Sequence, residues 1–273
     1  MHSKLKAVKK LHSTALQNGI PALYHYESFN AGYLRTTLEG KLIRCSNPAN
    51  LNDPWDCKPA FDPRRLDDPN VLERDIAWRL EHPVKHLWAA KLRNKPHART
   101  DFVTKMSESM EKMLAQRRIY CLTPKPDSTL MWSHYADKHR GICLEFSVAD
   151  NPLFSEAGEA VYRLEYPSWA GCDINDEPGR VMELILTKSS DWCYEQEYRL
   201  ISSDVPLRSN FLQVHDDFFH LPDGSLKSII IGCNADHRDI ARVIKEFAPD
   251  LPIKQAVRSP NRYSLEIVDY LAD

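Results

Sequence analysis

The sequence predicts an α+β fold, and three observations carry that prediction. Strand-like runs outnumber helical runs, and the two kinds do not alternate as strict βαβ units. The run LKSIIIG is continuously apolar, as a central strand covered on both faces must be. Hydrophobic residues make up 42% of the 273 residues, which supports a sizeable core and argues against global disorder. The expected organisation is one domain over 1–273, with an N-terminal helix at 4–18 and a helical insertion at 64–118.

Each element follows from a local pattern. Leu5, Val8, Leu11 and Leu16 form the loose apolar stripe of the first helix. PALYHYES reads as a strand after Pro21. AGYLRTTLEG is a short helix stopped by Gly40, because glycine tolerates positive φ, and KLIRCS is a strand. NPANLNDPWDCKP is dense in Asn, Asp and Pro and forms a structured loop. From Pro63 to Arg118 apolar residues recur at helical spacing, with one helix at 100–116. RRIYCLTP is a strand. DSTLMWSHYADKHRG is a helix capped by Asp127 or Ser128 and ended by Gly141. ICLEFS and AVYRLEYP are strands, GRVMELILTKSS is a helix, and CYEQEYRLIS and DDFFHLP are strands. After LKSIIIG, DHRDIARVIKEFAPD is an amphipathic helix, and IKQAVRS with YSLEIVD is a closing hairpin.

Composition excludes several classes. A net charge of -2 gives no general pull toward nucleic acid or membrane. No apolar run approaches the ~18 residues of a membrane span, and the basic N-terminus lacks the apolar core of a signal peptide. There is no glycine-rich phosphate cradle. Seven cysteines without a C-x-x-C pair read as free buried thiols in a reducing cytosol, so a cytoplasmic location and no structural metal are expected.

Four clusters set polar residues among aromatics. In LYHYES, His25 lies on one strand face and Tyr26 on the other; a histidine can hydrogen-bond a ribose while a tyrosine ring stacks on a base, or His25 is a satisfied half-buried residue. In NLNDPWDC, Asn52 and Asp53 suit Asx-turns, with or without a ligand. In LMWSHYADKHRG, Trp132, His134 and Tyr135 sit on a helix that either lines a pocket or packs in the core; the five-residue spacing of His134 and His139 does not suit a helical zinc site. In DWCYEQEYRL, Glu195, Glu197 and Arg199 recur every second residue and share a face if the run is a strand, with Lys188 on the helix before it within reach. Two such carboxylates suit general-base work or an oxocarbenium-like ribosyl centre, while Arg199 either pairs with one of them or binds phosphate.

These motifs carry a resemblance. The LYHY-like first strand, LNDPWD, LMWSHYADKHRGICLEF, KSSDWCYEQEYRL and the C-terminal LKSIIIGCNADHRDIARVIKE resemble, in that order, an uncharacterised bacterial family, domain of unknown function 2971, over roughly 22–267. More distantly, the order His25, Tyr135, Glu195-x-Glu197 is similar to that of ADP-ribosyltransferase-like folds. That likeness implies a split sheet, NAD as co-substrate, and a protein or nucleic-acid acceptor, and the kind of family implies a toxin or phage-defence setting. It implies that His25 holds a ribose, that an aromatic stacks on nicotinamide, that Glu197 stabilises the oxocarbenium-like state, and that Glu195 orients or deprotonates the acceptor. The chain departs from those folds in lacking an S-T-S triplet and an HGT-type first strand.

Two other classes remain open. One is a non-catalytic nucleotide- or RNA-binding module, with the basic segment 79–99 (Arg79, Lys85, Lys91, Arg93, Lys95, Arg99) contacting RNA or an acceptor protein. The other is a metal-dependent hydrolase or nuclease built on Asp53, Asp56, Glu195 and Glu197.

Overall fold

The computed structural model describes residues 13–58, 60–80, 86–95, 97–169, 177–203 and 212–271. In chain order the elements are β1 (Ala22–Glu27), α1 (Ala31–Leu38), β2 (Leu42–Arg44), β3 (Ala60–Phe61), α2 (Pro69–Leu80), α3 (His86–Asn94), α4 (Ala98–Ala115), β4 (Arg117–Leu122), α5 (Thr129–Tyr135) and β5 (Ile142–Ser147). There follow α6 (Pro152–Ser155), β6 (Gly158–Glu159), β7 (Val161–Arg163), β8 (Ser168–Trp169), α7 (Glu177–Leu186), β9 (Thr187–Ser189) and β10 (Tyr198–Ser203). The last elements are β11 (Leu212–Gln213), β12 (Phe218–His220), β13 (Leu226–Ile231), α8 (His237–Phe247), β14 (Ile253–Arg258) and β15 (Leu265–Asp269). Helices and mixed sheets in this arrangement make the fold α+β, with split sheets.

The chain divides into two compact units. Over the described residues, the first takes in those of 47–117 and 161–191, and the second those of 13–46, 118–160 and 192–271. The block expected as a helical insertion is helical, and it lies in the first unit with the segment that carries α7. Leu66, Leu72, Ile76, Leu92 and Phe102 form its core. Inside that core Arg79 donates to Asp75 at 2.6 Å and its guanidinium lies 4.2 Å from the Phe102 ring centroid. The same unit pairs β3 with β8 and β7 with β9, both parallel.

The second unit is built on a five-stranded sheet in the order β1-β5-β13-β14-β15. Its central strand, β13, is the one expected from LKSIIIG. Ile229 and Ile231 point into one core with Leu144, Phe146 and the Ile240 and Ile244 face of α8, while Ile230 points into another with Tyr26, Trp132 and Cys143. Alternation of side chains along a strand thus gives β13 two apolar faces. The β14–β15 hairpin is antiparallel, as expected. A second sheet runs β11-β10-β4, with β6 also on β10. The two sheets touch where Tyr24 of β1 and Thr123, just past β4, exchange backbone hydrogen bonds of 2.8 and 2.9 Å.

Three expectations need correction. The N-terminal helix falls largely on residues 1–12, outside the described residues, and its far end, 15–19, is a turn closed by Gly19 at φ +67°. The helix over 127–141 begins at the Ser128 cap but ends at Tyr135, because Asp137, Lys138 and His139 all take positive φ. The run CYEQEYRLIS is not one strand. Ser190–Glu195 is a 3-10 helix, Gln196 has φ +48°, and β10 starts only at Tyr198.

The turn after α5 is fixed by close backbone contacts. A Cβ on Gly141 would stand 2.2 Å from the Glu27 carbonyl oxygen and 2.9 Å from the Ala136 Cα. Neither neighbour is a flexible side chain that can swing away. Gly141→Ala is therefore expected to destabilise the protein by about 1–3 kcal/mol or more through overpacking. Denaturant unfolding monitored by tryptophan fluorescence measures it.

Candidate functional site

The polar clusters fall into the two units. In the first unit, Asp53 Oδ1 accepts the Trp55 N–H at 2.9 Å, which is the Asx-turn expected at LNDPWD. Its other carboxylate oxygen is buried without a hydrogen-bond partner among the described residues. Asp56 and Lys188 are both buried, with Lys188 Nζ 4.0 Å from Asp56 Oδ2. They form part of the wall of a cavity of about 230 Å³ that Trp55, Tyr166 and Asp191 also line. Lys188, expected on a helix, is on β9. Asn52 is exposed. Burial raises the Tyr166 phenol to about 12, with the Asp53 charge adding to the shift. Two of the four sequence motifs, LNDPWD and the start of KSSDW, thus meet within this unit.

In the second unit one short segment, residues 121–126, collects the other groups. His25 Nδ1 lies 2.7 Å from the Cys121 carbonyl. A carbonyl only accepts, so Nδ1 carries the hydrogen and, in the neutral ring, Nε2 keeps its lone pair. Burial pushes the His25 pKa down to about 4, so the ring is neutral at pH 7. Its ring stacks on Tyr120 at 4.1 Å. The Tyr26 hydroxyl donates to the Lys125 carbonyl at 2.6 Å, and Trp132 Nε1 donates to the Pro126 carbonyl at 2.8 Å. The Thr123 hydroxyl donates to the Glu195 carbonyl at 2.6 Å. Tyr26 and Trp132, read as ligand contacts, are both buried and meet edge to face at 5.0 Å. They support the site from the core.

The carboxylates divide sharply. Glu195 ends the 3-10 helix and accepts the Tyr135 hydroxyl on Oε1 at 2.6 Å. Glu197 sits beyond the left-handed Gln196, and Arg199 clamps both its oxygens, Nε to Oε1 at 2.9 Å and a terminal nitrogen to Oε2 at 2.8 Å. Residue relative exposures of 3% for Glu197 and 1% for Arg199 make this a sealed bidentate pair. Glu197 and Arg199 pair, as the spacing suggested; the left-handed Gln196 breaks strand alternation between them and Glu195, which is also buried, at 2%. Above Glu195, exposed His134 lies 6.3 Å from the Tyr135 and Tyr194 rings and 6.4 Å from Trp192, and the Trp192 and Tyr194 rings are 6.1 Å apart. These rings form an aromatic platform beside a carboxylate held by a tyrosine. Sequence reasoning missed the platform's Trp192 and Tyr194 and the hub at 121–126. The density of aromatics in DWCYEQEY was the available signal for the first; nothing in CLTPKP marks the second.

The basic segment 79–99 is largely committed. Arg79 is buried on Asp75, Arg93 meets Glu73 at 2.6 Å, Arg99 meets Asp67 at 2.7 Å, and the Lys91 ammonium lies 5.2 Å from the Trp88 ring. Acids from the start of the helical block therefore neutralise charge that the run alone presents as free. Lys85 lies outside the described residues. Among the described residues no group of three or more His, Cys, Asp or Glu side chains is placed to hold a metal ion, and no helix is long and apolar enough to cross a membrane.

Truncating one member of a buried pair leaves the other charge poorly compensated. Arg199→Met is expected to cost about 3–5 kcal/mol of stability, whereas Arg242→Met, at an exposed pair with Asp239, is expected to leave it nearly unchanged. Parallel urea titrations of Arg199→Met and Arg242→Met distinguish the two.

No curated protein and no solved structure matches the chain. Residues 131–200 match the model of a family described as a protein of unknown function, DUF2971. The matched segment runs from α5 to β10 and so contains Trp132, His134, Tyr135, Glu195, Glu197 and Arg199, while LYHY and LNDPWD lie outside it. The rings, the Glu195 carboxylate and the sealed ion pair thus lie in the segment, about a quarter of the chain, that is similar to this family of unknown function.

Proposed function

We propose that the protein is an ADP-ribosyltransferase-like enzyme that uses NAD to modify a protein or nucleic acid, in a toxin or phage-defence role. The observation that supports this reading is that, within one unit, residues 121–126 bond both the neutral first-strand His25 and the backbone of Glu195, whose carboxylate accepts the Tyr135 hydroxyl next to the rings of His134, Trp192 and Tyr194. In this reading a ribose hydroxyl donates to His25 Nε2. The nicotinamide ring stacks on the platform of His134, Trp192 and Tyr194.

The chemistry follows from the carboxylate. The bond between nicotinamide and ribose C1′ breaks, and the base leaves with the bonding pair. The positive charge growing on the ribose is stabilised by the Glu195 carboxylate, which Tyr135 holds in place. The acceptor's nucleophile bonds to C1′ and gives up its proton, with Glu195 as the acceptor of that proton. Both oxygens of Glu197 are engaged by Arg199, so the pair acts as a positioning element at the root of β10 and the catalytic assignment moves to Glu195. The paired arginines of 79–99 make the RNA-binding alternative weaker than the overall run of charge suggested.

Nicotinamide release from NAD by the full chain, supplied with cell lysate or nucleic acid as acceptor, tests the proposal. Glu195→Gln is expected to lower turnover at least ~10²-fold, and Tyr135→Phe by less, with NAD binding retained in both. Absence of turnover in the unaltered protein, or equal turnover in Glu195→Gln, overturns it.

A further inference from the structure

A second cavity in the second unit lies among β1, α1, β2, β4, β5 and β12 and has a volume of about 260 Å³. At about 30 Å³ per water that is room for roughly nine waters, the scale of one small organic molecule and far below a dinucleotide. Its polar groups are few and convergent. Glu27, two residues beyond His25 on the same face of β1, lines it and makes no side-chain hydrogen bond or ion pair among the described residues. Tyr120 lines it too; its residue is 3% exposed, and its hydroxyl is buried with no partner among the described residues. A buried hydroxyl left unmatched costs about 1–3 kcal/mol, so this one is ill suited to a purely structural role. The rest of the wall mixes the apolar Ile43, Leu144 and Phe218 with the hydroxyl-bearing Ser28, Tyr33 and Thr37, and Arg44 is exposed.

We propose that this cavity binds a small organic monocation, of the amidinium or primary ammonium class, whose N–H groups donate to the Glu27 carboxylate and the Tyr120 oxygen. Both groups accept hydrogen bonds, and no side chain among the described residues satisfies either. The aromatic rings around them suit a cation bearing an apolar body. The exposed Arg44 repels a second positive charge and so selects against polyamines. The site requires no NAD and stands apart from the transferase reading.

Burial raises Glu27 to about 7, with no neighbouring charge contributing to the shift. The ionisable groups around it are His25 on its own strand, Tyr33 of α1, Arg44 of β2 with Cys45 beyond it, Tyr120 of β4 and Cys143 of β5. Burial keeps His25 neutral above about pH 4 and holds Cys143 and Tyr120 protonated, which leaves Glu27, raised to about 7, as the group among them that titrates near neutral pH. The ionised fraction of Glu27 therefore rises as the pH passes through about 7, and a cation binds the ionised form.

Isothermal titration of the full chain with benzamidine and with isoamylamine, against neutral benzamide and against spermidine, tests this. The two monocations are expected to bind, up to about tenfold more tightly at pH 8 than at pH 6. Glu27→Gln is expected to weaken them at least about tenfold and Tyr120→Phe severalfold, while Tyr120→Phe leaves the thermal midpoint equal or raised because it removes an unmatched hydroxyl. Lack of binding by both monocations at millimolar concentration, benzamide or spermidine binding as well as they do, or unchanged affinity in Glu27→Gln overturns the proposal.

Discussion

His25, Tyr26, Trp132 and Glu195 come from distant parts of the chain, yet each is hydrogen-bonded to residues 121–126. This segment leaves β4 as it parts from β1, at the point where the two sheets of the second unit separate. Its Thr123 carbonyl accepts the Tyr24 N–H, and three of its other carbonyls accept from side chains. Cys121, Lys125 and Pro126 offer theirs to side chains, and Thr123 turns its hydroxyl toward Glu195. A buried carbonyl needs a partner, so splaying the sheets creates a demand that the aromatic and imidazole donors meet. The same bonds fix the tautomer of His25 and place the backbone of Glu195.

The ion pair of Glu197 and Arg199 does a different job from the carboxylate two residues earlier. Removing two opposite charges from water is costly unless geometry is close to ideal, and the bidentate contact supplies that geometry. It anchors the start of β10, whose Tyr198 and Arg199 pair with Glu159 and Gly158 of β6. Glu195 accepts the Tyr135 hydroxyl and is itself buried, at 2% relative exposure, beneath the surface that carries His134.

The first unit follows other rules. Its helices close around Phe102, and charge is settled locally: Asp75 takes Arg79 inside the core, and Glu73 and Asp67 take Arg93 and Arg99 at the surface. Its cavity joins the LNDPWD turn to Lys188 through the buried Asp56–Lys188 pair, and in the same turn one carboxylate oxygen of Asp53 has no partner among the described residues. The family match begins after that turn, at residue 131, and takes in Lys188 alone of these groups.

Periodicity alone determined much of this protein. The apolar stripe of α8, the two-faced β13, the closing hairpin, the Asx-turn at Asp53 and the helical block are all local consequences of residue pattern, and each is where the pattern puts it. The pairing of Glu197 with Arg199 was also legible, from their spacing of two. What only the tertiary structure decided is where that spacing ceases to hold. A single left-handed residue, Gln196, breaks the run of alternation and parts Glu195 from Glu197. Three more, at 137–139, end α5 early so that Gly141 can pass against the backbone of β1. The meeting of His25 and Glu195 at 121–126, and the Glu27 and Tyr120 cavity, depend on contacts between segments far apart in the chain. Local sequence sets side-chain direction within an element, but the partner of a buried polar group is set by whichever distant element packs against it.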